Sequence, residues 1–308
     1  MSVAMEEQLR SMRAARAFLI SRQNADGGWG YVSGGESFPE PACYALLALA
    51  DAPAGTDRAG QEAGKRALQW FARKQGGLGF LPLGTEADQP DAWGTLLTCF
   101  TMSRLGAAEG AQYREYLLSA MGVPIAREAA MPLKLDGSLR AWSWSPGTAS
   151  WVEPTAYALL ALKSQGLGSH ARAGTGEAYL VDRVCYGGGW NYGNKEVLGV
   201  RLDPILTITA YALLALQDYD RTADVIVKSL TWLESEVEKN LSVMSLALGI
   251  LCLDVYDRPV AHLAHALLAR QGTDGGWREN VHLTALATLA LAVGSGQGNV
   301  FRLPSREG

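Results

Sequence analysis

Apolar positions along the chain fall into two alternating patterns, both with the period of an α-helix. In the first, charged residues share a segment with one apolar stripe: residues 5–22 set Leu9, Met12, Ala15 and Leu19 on one side and leave the rest polar. In the second, as in "ACYALLALA" at 42–50, no face carries a charge. A helix without a wet side must be buried all round. The amphipathic kind is expected near residues 5–22, 58–74, 109–121, 171–183, 222–237 and 259–270, and the neutral kind near 41–51, 91–104, 154–164, 205–217, 241–253 and 281–293. Six charged outer helices would then enclose six neutral inner ones.

Glycine-rich aromatic corners separate the two kinds. "QNADGGWGY" at 23–31 returns as "KQGGLGF" at 74–80, weakly as "LDGSLRAW" at 135–142, as "YGGGWNY" at 186–192 and as "QGTDGGWRE" at 271–279. Glycine accepts the backbone angles at which a helix stops. Pro41 suits a first helical turn, where its missing N–H is no loss, and Glu40 suits the positive end of the same helix. The last neutral segment, "HLTALATLALAV", is as apolar as those in the middle, whereas an open solenoid would end on polar caps. The expected fold is therefore all-α: a closed (α/α)6 barrel of six hairpins forming one domain over 1–308, with the ring at about 5–295 and a short flexible C-terminal tail. Long connections at 80–91, 122–153 and 186–205 would gather at one end and form a mouth.

Composition removes several classes of function. With 48% hydrophobic residues in 308, a large core is available. Cys43, Cys99, Cys185 and Cys252 lie far apart with no paired spacing, which speaks against a disulfide framework or a zinc finger and for a reduced, cytoplasmic setting. A net charge of -4 without a basic run makes nucleic acid an unsuitable partner. The start "MEEQLRSMRAARAFLI" does not read as a secretory signal, and the apolar runs are too short to span a bilayer. The glycine corners lack the lysine and hydroxyl residue of a phosphate loop, and no cofactor is expected.

The Q-x-x-D-G-G-W corners and the "PTAYALLAL" helix at 154–162 together resemble the repeats of squalene–hopene and oxidosqualene cyclases and of protein prenyltransferase β subunits. The resemblance runs over nearly the whole chain. It implies an α/α toroid, a structural role for Gln23, Trp29, Gln271 and Trp277, and an isoprenoid or terpenoid ligand held in a central apolar cavity. The cyclases' aspartate-rich D-x-D-D-T-A segment, which supplies their acid, is absent, and there is room for one barrel rather than two.

Candidate site residues follow from the starts of the inner helices, where Glu40, Asp91, Glu153, Thr207, Ser242 and His282 occupy comparable places. Glu153 is the first choice for a general acid, because Trp142, Trp144 and Trp151 lead up to it and aromatic faces stabilise a developing carbocation. A carboxylate satisfied by helix-start N–H groups is the plainer reading of the same residue. Asp91, with Asp88 before it, is the second candidate acid, and capping explains it equally. Tyr44, Tyr157 and Tyr211 recur at one place in three repeats, and with Trp93, Asp203 and Glu40 they complete the expected substrate-binding set.

A zinc alternative joins Glu40, Cys43 and His282, which resemble the prenyltransferase ligands with the order reversed and one spacing changed. Three functions thus stand open: a terpene cyclase-like enzyme using general-acid and carbocation chemistry, a non-catalytic lipid- or protein-binding toroid, and a zinc-dependent prenyltransferase-like subunit. Peripheral contact of the mouth with a membrane is compatible with the first two.

Overall fold

The computed structural model describes residues 3–50, 57–84, 86–295 and 297–304. The helices run in the order α1 (Val3–Ser21), α2 (Pro39–Ala50), α3 (Arg58–Gln75), α4 (Ala92–Arg104), α5 (Arg114–Ser119), α6 (Arg127–Ala130) and α7 (Val152–Ser164). They continue with α8 (Ala171–Asp182), α9 (Leu206–Ala215), α10 (Asp224–Lys239), α11 (Val243–Val255), α12 (Ala261–Leu268) and α13 (Val281–Gly294). None of the described helices is long and apolar enough to cross a membrane. The neutral segments form α2, α4, α7, α9, α11 and α13, whose side chains are buried nearly throughout. All four cysteines are buried, and none of them forms a disulfide.

The chain divides into two compact units, Met1–Leu78 with Asn240–Arg302, and Gly79–Lys239 with Leu303–Gly308. In the first unit α13 packs between α11 and α2 and also against α1, so the first and last hairpins meet. Gln271 Nε2 donates to Ser11 O at 3.0 Å across that seam, and Arg16 Nε of α1 donates to Ala48 O of α2 at 3.2 Å. In the second unit α7 packs between α4 and α9.

Three expectations need correction. Residues 109–121 do not form one helix: a 3-10 turn at Ala108–Tyr113 precedes the short α5. Gly110 packs against the backbone of Met102 and Ser103 at the end of α4, and Ala107 N donates to Met102 O at 3.0 Å, so the chain is tied to the end of α4 where the helix was expected to begin. Two small antiparallel pairs, β1 (Pro82–Leu83) with β2 (Glu86–Pro90) and β3 (Glu196–Val197) with β4 (Val200–Arg201), occupy connections in which no strand was expected. The tail is also anchored as far as it is described. Phe301 is buried, Asn299 Nδ2 donates to Leu251 O at 2.8 Å and to Asp254 at 2.9 Å, and Arg302 pairs with Asp254 and Asp257.

The repeated corners explain themselves in the packing. Gly27, Gly188 and Gly275 have φ of +92, +93 and +86°, and a Cβ on any of them would stand 2.6 Å from a backbone atom of another outer helix, at Arg66, Lys228 and Ala14 respectively. Only glycine fits both the angle and the approach. The tryptophans bind the other way, back to their own hairpins: Trp29, Trp190 and Trp277 donate their indole N–H to Leu19 O, Leu180 O and Leu267 O at 2.8, 2.7 and 3.0 Å. Inner-helix threonines complete the joint, since Thr209 and Thr284 Oγ1 each accept the backbone N–H of the corner tryptophan, Trp190 or Trp277, at 2.9 Å.

Gly275→Ala should therefore cost about 2–4 kcal/mol, adding steric overlap to a strained backbone. Gly34 also has positive φ, at +73°, but nothing lies within 4 Å of its would-be Cβ. Gly34→Ala should cost only about 1–2 kcal/mol. Urea unfolding of the two variants side by side measures the difference.

Candidate active site

In the first unit the start of α2 places Glu40 among aromatic groups. Its Oε2 accepts a short hydrogen bond from the Tyr31 hydroxyl, and its Oε1 lies 3.6 Å from His282 Nε2 at the start of α13. Tyr31 stands on the first corner, which is itself fastened to α13: Val281 N donates to Tyr31 O at 2.9 Å. The Tyr44 ring, one turn further along α2, lies 4.9 Å from the His282 ring, and the Tyr31 ring 6.1 Å from it on edge.

Burial sets the charge of both groups. The Glu40 side chain is 14% exposed, and loss of water pushes its carboxyl up from 4.5 to about 7, against the opposing pull of the Tyr31 hydrogen bond. The His282 imidazole is pushed down from 6.5 to about 3 by the same loss of water. Its Nε2 is buried with no hydrogen-bond partner. Near pH 6 the pair is thus a carboxylic acid beside a neutral imidazole rather than an ion pair. A buried acid kept protonated, with a phenol donor ready to stabilise its anion, is equipped to give up a proton.

The second unit holds a separate aromatic cluster. The Trp93 ring, in the first turn of α4, stacks on Trp144 at 5.5 Å and meets Tyr157 of α7 on edge at 6.0 Å. Tyr157 in turn lies 4.9 Å from Tyr211 of α9. Glu153 is half-buried in the first turn of α7, one turn before Tyr157.

The other expected residues take these positions. Asp91 is the N-cap of α4 and accepts Gly94 N at 2.9 Å; the side chain of Asp88 lies outside the described part of the structure. Thr95 and Thr155 hold matching places on α4 and α7, taking backbone N–H groups of Leu81 and Trp142, and this register makes Trp93, not Asp91, the counterpart of Glu153. Asp203 is exposed, and Trp151 is half-buried at the N-cap of α7. Trp142 is buried, donates its indole N–H to Leu117 O at 2.9 Å, and carries the Arg172 guanidinium 4.0 Å above its ring.

Cys43 is fully buried. Among the described residues no three His, Cys, Asp or Glu side chains are grouped as a metal ion would require, so Glu40 and His282 meet without Cys43 completing a zinc set. A cavity of about 520 Å³ opens elsewhere in the second unit, beneath residues 124–138, and includes none of the expected site residues.

Tyr31 was not singled out by sequence. An aromatic residue two places after the corner tryptophan is the signal that marks it, as in "WGY" at 29–31 and "WNY" at 190–192, but only the path of the corner shows that its hydroxyl reaches Glu40.

No family model matches the chain, and no curated protein sequence matches it. Solved structures do. The type II terpene cyclase MstE from Scytonema, in its apo form, gives a TM-score of 0.65 at 14% identity, covering 95% of this chain and 100% of that one. A protein from Actinoplanes gives 0.65 at 18% identity, covering 93% and 99%. An inactive α-1,6-mannanase variant from Salegentibacter sp. HEL1_6, in complex with α-1,6-mannotriose, gives 0.66 at 9% identity, covering 94% and 99%.

These likenesses show the fold. The chain has the all-α toroid fold of type II terpene cyclases, to which it is distantly similar rather than to squalene–hopene or oxidosqualene cyclases in particular. The mannanase likeness shows that the same fold also serves chemistry on sugars.

Glu40 makes stability depend on pH in a defined direction. Its folded value is raised, so the stabilisation is complete below pH 4.5 and is lost as pH rises through about 7, on the order of 3 kcal/mol in all. His282 acts in the opposite sense, contributing above pH 6.5 and losing that contribution as pH falls toward 3. Glu40→Gln removes the first effect alone. Urea unfolding from pH 5 to 8 should show the wild-type protein losing stability relative to this variant.

Proposed function

We propose that the chain is a terpene cyclase-like enzyme that protonates a prenyl or terpenoid substrate, with Glu40 as the general acid. The observation that carries this reading is the buried Glu40 carboxyl, held near 7 and hydrogen-bonded by Tyr31. At neutral pH a large fraction of it holds a proton. Transfer of that proton to an alkene leaves a carbocation on the substrate and a carboxylate on Glu40, and the Tyr31 O–H stabilises the carboxylate as it forms. The new negative charge raises the proton affinity of His282, 3.6 Å away, which makes the imidazole a route for returning a proton to the site.

The fold likeness supports the substrate class. MstE has been solved with geranylgeranyl dihydroxybenzoate as substrate, in a variant that gives a TM-score of 0.61 at 15% identity. Beside the acid, the Tyr31 and Tyr44 rings flank His282, and aromatic faces there suit a cation-forming ligand. The whole chain is taken as one catalytic domain. Glu153 is the rival acid, on account of its place one turn before Tyr157.

Incubation with geranylgeranyl-substituted aromatic acids, squalene and oxidosqualene, followed by mass spectrometry of the products, tests the proposal. Turnover should fall at least about 10³-fold in Glu40→Gln and survive in Glu153→Gln. Because the acid form is the active one, the rate should also decline as pH rises through about 7. Loss of activity in Glu153→Gln alone would transfer the role to Glu153. Absence of any product would leave a binding protein.

A further inference from the structure

The cavity of about 520 Å³ beneath residues 124–138 holds two opposite charges that do not pair with each other. Arg127 lines it from the start of α6, and its guanidinium makes no hydrogen bond or ion pair with any described residue. Asp136 lines it from the connection that follows. The neighbouring charges do not interfere: Glu128 is not part of the lining, and Lys134 is engaged with Glu196 at 2.7 Å.

Asp136 is held in place from several sides. Its Oδ1 accepts Ser138 N at 2.9 Å and the Ser138 hydroxyl at 2.6 Å, and these bonds hold its carboxyl below the usual carboxylate range. Its backbone N donates to Asp182 and its O accepts from Arg183 Nη2, both at 3.1 Å. The second carboxylate oxygen, Oδ2, makes no hydrogen bond with the described residues.

The remaining walls are apolar, chiefly Ile125, Met131 and Leu135. They are joined at Gly137, where Ile125 N donates to Gly137 O at 2.9 Å and an added Cβ would stand 2.2 Å from Ile125 O. The shape of the cavity is therefore set by backbone contact. Its volume is that of a small-molecule site. An anionic amphiphile would meet repulsion from Asp136, and a cationic one from Arg127. A ligand carrying both charges answers both residues.

We propose that this cavity binds a small zwitterion with an apolar side chain, an amino acid or dipeptide of the leucine or phenylalanine type. The ligand carboxylate pairs with Arg127, its ammonium with Asp136, and its side chain packs on Ile125, Met131 and Leu135. The site is independent of the acid chemistry of Glu40.

Calorimetric titration of the full chain with L-leucine, L-phenylalanine and L-leucyl-L-leucine tests this. At least one should bind with a dissociation constant of about 1 mM or lower. N-acetyl-L-leucine, L-leucinamide and glycine, which lack the ammonium, the carboxylate and the side chain respectively, should bind at least about tenfold more weakly. Arg127→Gln should weaken binding of the zwitterion at least about tenfold with the melting temperature unchanged. Asp136→Asn keeps an acceptor oxygen for Ser138 but loses the charge, so it should bind the zwitterion less well and N-acetyl-L-leucine better than the wild-type protein does. A folding defect cannot produce that exchange of preference. The proposal is overturned if none of the three zwitterions binds at about 10 mM. It is equally overturned if Arg127→Gln binds them as the wild-type protein does, or if the singly charged derivatives bind as tightly as leucine.

Discussion

The close contact between a corner glycine and the backbone of another outer helix is the constraint on which the helical arrangement rests. At Gly27, Gly188 and Gly275 there is no room for a side chain, so each hairpin is seated against backbone at a fixed distance. The tryptophan beside that glycine ties the corner to its own outer helix, and the threonine below ties it to its inner one. One close contact and two hydrogen bonds thus fix the relation of an outer helix to an inner helix without a long interface. The leucine carbonyl lies ten residues before the tryptophan in three repeats but twenty-five before Trp142. The joint therefore tolerates a long insertion in the path that leads to it.

The first repeat relaxes this rule, and the buried acid sits where it does so. Ala42 stands where four other repeats place Thr95, Thr155, Thr209 and Thr284; Phe38 N donates to Trp29 O at 2.9 Å as Ile205 N does to Trp190 O at 2.8 Å, but the nearby hydroxyl is that of Ser37, which donates to Asp26. In this repeat the corner's Tyr31 reaches Glu40 at the start of α2. Departures from a repeat's own pattern are where functional residues are expected, because packing no longer dictates them.

Helix positions were legible in the sequence because a charged stripe and a charge-free helix have unmistakable periodicities. The β-hairpins were not, since strands of two to five residues are too short to show a period. Glu40 and His282 could be placed side by side from their helix starts, whereas the charge state they share depends on burial that no spacing reveals. Trp142 and Trp144 show the limit most plainly. Two residues apart and chemically identical, they were read alike, yet one indole is locked to Leu117 O and the other stacks on Trp93.

The seam between the first and last hairpins has a consequence for how the molecule comes into being. Helices α1 to α3 are made early, but their compact unit also needs α11 to α13, so they must wait through more than half of the chain before their partners emerge. The intervening stretch, Gly79–Lys239, makes a compact unit of its own and has no such wait. Loop closure across this separation is slow compared with local helix contacts. Since His282 and the fastening of Tyr31 both belong to α13, Glu40 would keep its water and its ordinary acidity in a growing chain until that helix had been made and packed.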